Sequence, residues 1–206
     1  MIPSLLNSKL QAPNSFVPTH CINWKIRLPG KRADAALDWV RQYVEQFDTS
    51  TLESVRINPG SSRYVGVYGH CLYPTEDRPT FRISCHVPGP FPCDVVTRKR
   101  PLYPKPDGSF PRAPRGCRRG LLCFDPRSGR KWYRLLGKIH LETLGEAVVW
   151  IVSHELFHFL RQTRQIKGRD NEIEADRFAD GQLADYRVSA MGQPSSAIGA
   201  QLTLFD

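Results

Sequence analysis

Apolar residues run almost unbroken over residues 144–152, interrupted only by Gly145 and Glu146, and resume at Leu156, Phe157, Phe159 and Leu160. A run this long predicts a core helix. It ends by about Arg164, where Arg161, Gln162, Thr163 and Arg164 turn the chain polar and Gly168 offers a stop. It is too short and too interrupted to cross a membrane. A second, amphipathic helix begins near Asn171, with Ile173, Phe178 and Leu183 as its apolar positions and Asp170 or Asn171 as the candidate N-cap. The connection over residues 166–170 is short enough to return it antiparallel to the first. Upstream, residues 32–47 read as a helix with Ala36, Leu37, Val40, Tyr43, Val44 and Phe47 on one face. Residues 54–58, 64–68 and 80–87 read as strands. Residues 132–141, with Leu135, Ile139 and Leu141 apolar, read as a further strand at a sheet edge, where an extended peptide could add. The class is α+β, with a small sheet and two core helices. No internal repeat is visible.

Chemistry enters on the first of those helices. His154-Glu155-Leu156-Phe157-His158 sets two imidazoles four residues apart, one above the other on the same face, with a carboxylate beside them. Burying such groups is costly unless a metal satisfies them; otherwise they must face solvent or pair with backbone carbonyls. Glu172, one turn into the second helix, is placed to face both histidines as a third ligand. Asp176, four residues on, is suited to accept a hydrogen bond from a histidine's other ring nitrogen. Glu174 points elsewhere. Three protein ligands leave a zinc ion one position for water, which Glu155 would deprotonate as it attacks a peptide carbonyl. Tyr186, His140 and several arginines are the candidate oxyanion donors.

HELFH followed by NEIEAD resembles the gluzincin pattern, HExxH and then ExxAD or ExxAN, of thermolysin-like, Ste24-like and ImmA/IrrE-like metallopeptidases. The resemblance covers about residues 140–180. It implies Zn²⁺ held by His154, His158 and Glu172, Glu155 as general base and Asp176 as the partner of a ligand histidine. The fold it implies is a minimal gluzincin-like metallopeptidase domain. SprT-like peptidases, which cut proteins crosslinked to DNA, also carry HExxH, but their third ligand is usually histidine. No histidine follows His158, so kinship with them lies in architecture and role.

The C-terminal Gln201-Leu202-Thr203-Leu204-Phe205-Asp206 looks like the bacterial sliding-clamp-binding motif, in which Leu204 and Phe205 would fill a pocket, Leu202 support them and Gln201 hydrogen-bond nearby. The Gly-, Ser- and Ala-rich residues before it read as a flexible leash; the alternative is a tail packed on its own domain. Charge points the same way. The 206 residues carry 29 Lys and Arg against 20 Asp and Glu. Residues 98–134 alone hold twelve basic side chains, among them Arg98, Lys99, Arg100, Arg112, Arg115, Arg118, Arg119, Arg130 and Lys131, against Asp107 and Asp125. With Tyr103, Phe110, Phe124, Trp132 and Tyr133 interspersed, this suits a phosphate-tracking loop that binds single-stranded or non-specific DNA; a solvated basic insertion is the plainer alternative. The expected organisation is an extension at 1–20, a metallopeptidase domain at 21–190 with a basic insertion at 98–134, and a tail at 191–206. Residues 1–20 lack the charged and apolar regions of a signal peptide, and the six cysteines form no CxxC pair. They read as free thiols in a cytoplasmic protein, possible association with the nucleoid included. The alternative is that Cys85, Cys93, Cys117 and Cys123 hold a second, structural zinc. The reading that joins these signals is a peptidase acting on protein or peptide substrates bound or crosslinked to DNA, tethered to a clamp, with no membrane partner. The alternatives are an ImmA/IrrE-like regulator that cuts a repressor, and a non-catalytic DNA- and clamp-binding module with a structural metal.

Overall fold

The computed structural model describes residues 21–28, 33–60 and 67–192. The 1–20 extension, the 201–206 motif with Gln201, Leu202, Leu204 and Phe205, and most of the 64–68 strand expectation lie outside the described residues.

The chain is mixed α and β. In order it forms β1 (Asn23–Ile26), α1 (Asp34–Val44), β2 (Leu52–Pro59), β3 (Gly69–Leu72), β4 (Phe81–Val87), β5 (Cys93–Leu102), β6 (Arg118–Phe124), β7 (Lys131–Leu141), α2 (Leu144–Gln162) and α3 (Glu172–Gly192). A four-stranded sheet has the order β1-β2-β4-β3. Its first three strands are parallel, and α1 provides the crossover that parallel β1 and β2 require. Strand β3 runs antiparallel to β4 at the edge. Leu52, Val55 and Ile57 of β2 are buried with Phe81, Ile83, Cys85 and Val87 of β4, the period-2 alternation of a sheet with one covered face. Ala36, Leu37, Val40 and Val44 of α1 join the same core, as their helical spacing requires.

Helix α2 is the centre of the molecule. All of it is buried except Leu144, His154, Arg161 and Gln162, the outcome expected of a helix that is apolar nearly all round. Its N-terminus is held by Thr143, whose hydroxyl accepts from the Glu146 N–H, while the Glu146 carboxylate accepts from the Glu142 N–H at 2.8 Å. It ends at Gln162, two residues short of the expected limit. Helix α3 returns antiparallel: Trp150 donates to Asp180, His154 faces Asp176 and His158 faces Glu172, so one helix is read downward as the other is read upward. The buried seam of α3 is Ala175, Asp176, Ala179 and Leu183; Ile173 and Phe178, expected in it, are only half-buried.

Two expectations are corrected in the second sheet, whose order is β5-β7-β6 and whose strands are antiparallel. First, residues 132–141 do form a strand, but β7 lies in the middle of the sheet: β6 covers it only as far as Leu136, so the edge expected along the whole segment is left to residues 137–141, which pair with β5 alone among the described strands. Second, the basic stretch at 98–134 is no loop through most of its ends: it contributes the end of β5, all of β6 and the start of β7. An antiparallel sheet with a wet face tolerates alternate charged residues, so a run of cations does not preclude strand. In the four-stranded sheet, β3 is the last strand, beside α2, and pairs with β4 alone among the described strands. No described helix is long and apolar enough to cross a membrane.

Candidate metal centre

His154 and His158 leave α2 on the one side not sealed by the core, toward the first turn of α3. Asn171 caps that turn, its side-chain oxygen accepting from the N–H groups of Ile173 and Glu174. The cap frees Asp170 and sets Glu172 opposite both histidines. His154 Nε2 lies 3.4 Å from Glu172 Oε2, and His158 Nε2 lies 3.7 Å from Glu172 Oε1. One ligand atom from each residue fits within 4.8 Å of the others. A tetrahedral zinc ion with bonds of ~2.1 Å keeps its ligands ~3.4 Å apart. The donor set, two imidazoles and a carboxylate, is therefore the right chemistry at nearly the right spacing for a divalent ion.

The outward ring nitrogens are held as well. His154 Nδ1 lies 3.0 Å from Asp176 Oδ1, close but without the alignment of a regular hydrogen bond. Asp176 is buried, and its other oxygen accepts from the Arg98 N–H at 2.5 Å, which ties β5 to the site. His158 Nδ1 lies 2.6 Å from Asp170 Oδ1. Asp170 in turn accepts from Gln162 at 2.6 Å and from the Tyr73 hydroxyl at 3.3 Å. Each histidine thus has its own carboxylate behind it, an arrangement that orients the rings and makes the inward nitrogens better donors to a metal. Asp170 was visible in the sequence only as a candidate cap. Its position twelve residues after His158, across a turn, is the signal that pointed to it.

Electrostatics favour positive charge at the centre. Burial pulls the His154 pKa down, but Asp176 and Glu172 outweigh it and raise it to about 10. The same contact with His154, aided by His158 and Arg98, lowers Glu172 to about 2 despite its partial burial. The carboxylates of Asp176, Glu172 and Glu155 around His154 favour positive charge there. Glu155 is buried beside it and raised to about 7, first by desolvation and further by Glu172, against the pull of His154 and of a hydrogen bond from the Cys71 N–H.

That last bond reveals what β3 does. Gly69 lies against Glu155 so closely that a Cβ there would sit 2.6 Å from both Glu155 Cγ and Oε1. With Cys71 it forms a floor on which the carboxylate rests. A cleft of about 310 Å³ opens here, between the β3 segment and β5, with His154, Glu155, His158 and Glu172 along its wall. No family model, no curated protein and no solved structure matches this chain.

The remaining candidates divide. Tyr186 and His140 are not at the cleft, which corrects their reading as oxyanion donors. The Tyr186 hydroxyl would lie 2.9 Å from a Cβ on Gly145, near the start of α2, and its ring packs edge-on to Trp39. His140 is engaged with Asp94 at 2.9 Å and Glu142 at 3.4 Å. The donors that do line the cleft are Tyr68, His70, Tyr73 and Arg98. Glu174 pairs with Arg177 and is absent from the cluster. Among the basic candidates, Arg98, Lys99 and Arg100 lie on β5, Arg118 and Arg119 on β6, Lys131 opens β7, Arg130 immediately precedes it, and Arg112 and Arg115 lie in the connection before β6. Arg119 is committed: it donates to the Pro111 carbonyl at 2.9 Å and lies over the Tyr133 ring. Cys85, Cys93, Cys117 and Cys123 do not converge. Among the described residues, His154, His158 and Glu172 form the one metal-competent group, and the cysteines are unpaired with each other.

Proposed function

We propose that this protein is a zinc-dependent metallopeptidase with a minimal gluzincin-like domain. The observation that carries the reading is Glu155: a buried carboxylate set beside a His154, His158, Glu172 cluster, in an open cleft, with its own backbone donor. A structural metal has no use for such a group. When bound, zinc supplies Lewis-acid polarisation of a carbonyl and brings the pKa of a water toward neutrality. The chain's own residues do the rest. Glu155 takes a proton from the attacking water and passes it to the leaving amine, a task that suits a carboxyl raised toward neutral pH. Asp176 and Asp170 hold the two imidazoles. Strand β3, last in its sheet, lies next to Glu155, where an extended peptide could add to it.

The reading extends to where the enzyme works. Arg112, Arg115, Arg118, Arg130 and Lys131 lie on β6, on the connections flanking it and at the start of β7, and Tyr103 and Phe124 are exposed, a composition suited to phosphates and unpaired bases. With the clamp-like motif at 201–206, this supports a peptidase acting on proteins bound or crosslinked to DNA.

The test is proteolysis by wild type and Glu155→Gln, with and without single-stranded DNA, alongside zinc content. Glu155→Gln keeps its zinc and loses cleavage; His154→Ala loses the zinc; DNA stimulates the wild type. Equal zinc in wild type and a His154→Ala, His158→Ala double variant would end the metal reading.

A further inference from the structure

A second cavity, of about 500 Å³, adjoins the metal cleft and shares Arg98 and Glu172 with it. One wall is built by β5 and β7, with Lys99, Arg100, Trp132 and Arg134; the other is the turn into α3, with Arg169 and Glu174. The charges do not balance. Both carboxylates of the groove already have partners: Glu172 faces the histidines and Arg98, and Glu174 pairs with Arg177 at 2.7 Å, outside the lining. Lys99, Arg100, Arg134 and Arg169 have no carboxylate partner among the described residues, although each lines the groove. Lys99 is also held in place. Its stem lies across Gly137, where a Cβ would meet Lys99 Cε at 2.6 Å, so glycine at that position on β7 is what lets the lysine lie there.

Four cations in a concavity, none with a carboxylate partner among the described residues, focus positive potential on whatever enters it. Because the groove borders the metal cleft at Arg98 and Glu172, a peptide extending from the cleft past these two residues would enter it. We propose that this groove is a subsite for acidic side chains, selecting substrates that carry aspartate or glutamate within a few residues of the scissile bond. The proposal rests on the peptidase reading above. A peptide suits the groove better than a nucleic acid strand does. A strand brings a phosphate at every unit and would set some against Glu172 and Glu174. An extended peptide turns alternate side chains to one side, so its carboxylates can meet the β5 and β7 wall while uncharged backbone passes α3. Trp132 supplies an apolar surface for the intervening residue. Arg98, Lys99 and Arg100 then belong to substrate choice, and DNA contact falls to the β6 side of the sheet.

Two measurements test this on the zinc-loaded full chain. The first is cleavage-site profiling on a mixed peptide pool with wild type, an Arg100→Gln, Arg134→Gln double variant and Arg134→Glu. Asp and Glu are expected near the cut in wild type. The double variant should lower the acidic-over-neutral ratio of kcat/KM about tenfold, chiefly through KM, and Arg134→Glu should shift preference toward basic residues. Cleavage without acidic enrichment, or enrichment that survives the double variant, overturns the proposal. The second is binding of a short fluorescent peptide of alternating glutamate and serine to Glu155→Gln protein, against an all-serine peptide and oligo-thymidylate. Acidic-peptide binding that the double variant loses, with no cleavage of any peptide by wild type, upholds the groove and fails the peptidase reading. Oligo-thymidylate binding lost in the double variant, with no acidic-peptide binding, makes the groove a nucleic-acid site and overturns the proposal.

Discussion

Replacing Gly69 with alanine adds one methyl group directly against the proposed general base. The backbone at Gly69 lies in no left-handed region, so alanine meets no conformational objection there. The objection is spatial. The new Cβ would stand 2.6 Å from Glu155 Cγ and Oε1 and 2.8 Å from Cδ, distances no real Cβ contact holds. Glu155 is buried, on a helix sealed on nearly every side, so its side chain must swing off its rotamer or β3 must move. Overpacking of this kind costs about 1–3 kcal/mol, or roughly 2–4 °C of Tm per kcal/mol for a chain of this size. The decisive assay is a double-mutant cycle by thermal or chemical denaturation. In a Glu155→Ala background the carboxylate and its Cγ are gone, and Gly69→Ala should become neutral or stabilise by up to ~1 kcal/mol, the ordinary gain from replacing a strand glycine. If Gly69→Ala costs the same in both backgrounds, β3 does not seat Glu155 and the argument for its role fails. The proposed ligands His154, His158 and Glu172 are untouched, so zinc content should be unchanged. Displacement of the base by about an ångström should lower cleavage by about a hundredfold.

Asp170→Ala removes the group behind His158 and should weaken zinc affinity about 10- to 100-fold by competition with a chelating dye, while a Tyr73→Phe variant, which leaves Gln162 and His158 in place, changes it far less. Burial alone would raise Glu146, but Arg187 and the Glu142 N–H hold it below the ordinary carboxylate range. A depressed carboxyl contributes stability above its unfolded pKa and loses it as pH falls through the folded value. Arg187→Ala should therefore destabilise by about 1–3 kcal/mol at neutral pH, with the gap closing below about pH 4; a gap that stays constant with pH would refute the pairing. Deleting residues 201–206 should abolish capture by a bacterial sliding clamp and leave zinc content and cleavage unchanged.

The readings that hold are those set by local geometry. Two histidines four apart share a helix face whatever surrounds the helix, and a short turn brings the next acidic residue back beside them. The apolar run of α2 predicted its burial, and the spacing in α1 picked the residues that reach the core, because helical period is a property of the chain alone. The readings that failed depended on partners far away. Nothing in residues 132–141 states that β6 would cover one edge of the strand up to Leu136, and nothing around Gly69 states that β3 would be laid under Glu155. Asp170 could be a cap or a histidine's partner; Asn171, one residue later, took the cap and decided it. Tyr186 and His140 had suitable chemistry, but α3 and β7 carry them to Gly145 and to Asp94.

By itself the sequence determined the helices, the group of residues that could hold a metal and the excess of positive charge. Tertiary structure alone decided which strand is an edge, what Glu155 rests on, and which cations lie beside the cleft without a carboxylate partner among the described residues. The physical reason is range: a helix closes its hydrogen bonds within four residues, whereas a strand's neighbours, and the vacancies between sheets, are chosen by the whole fold.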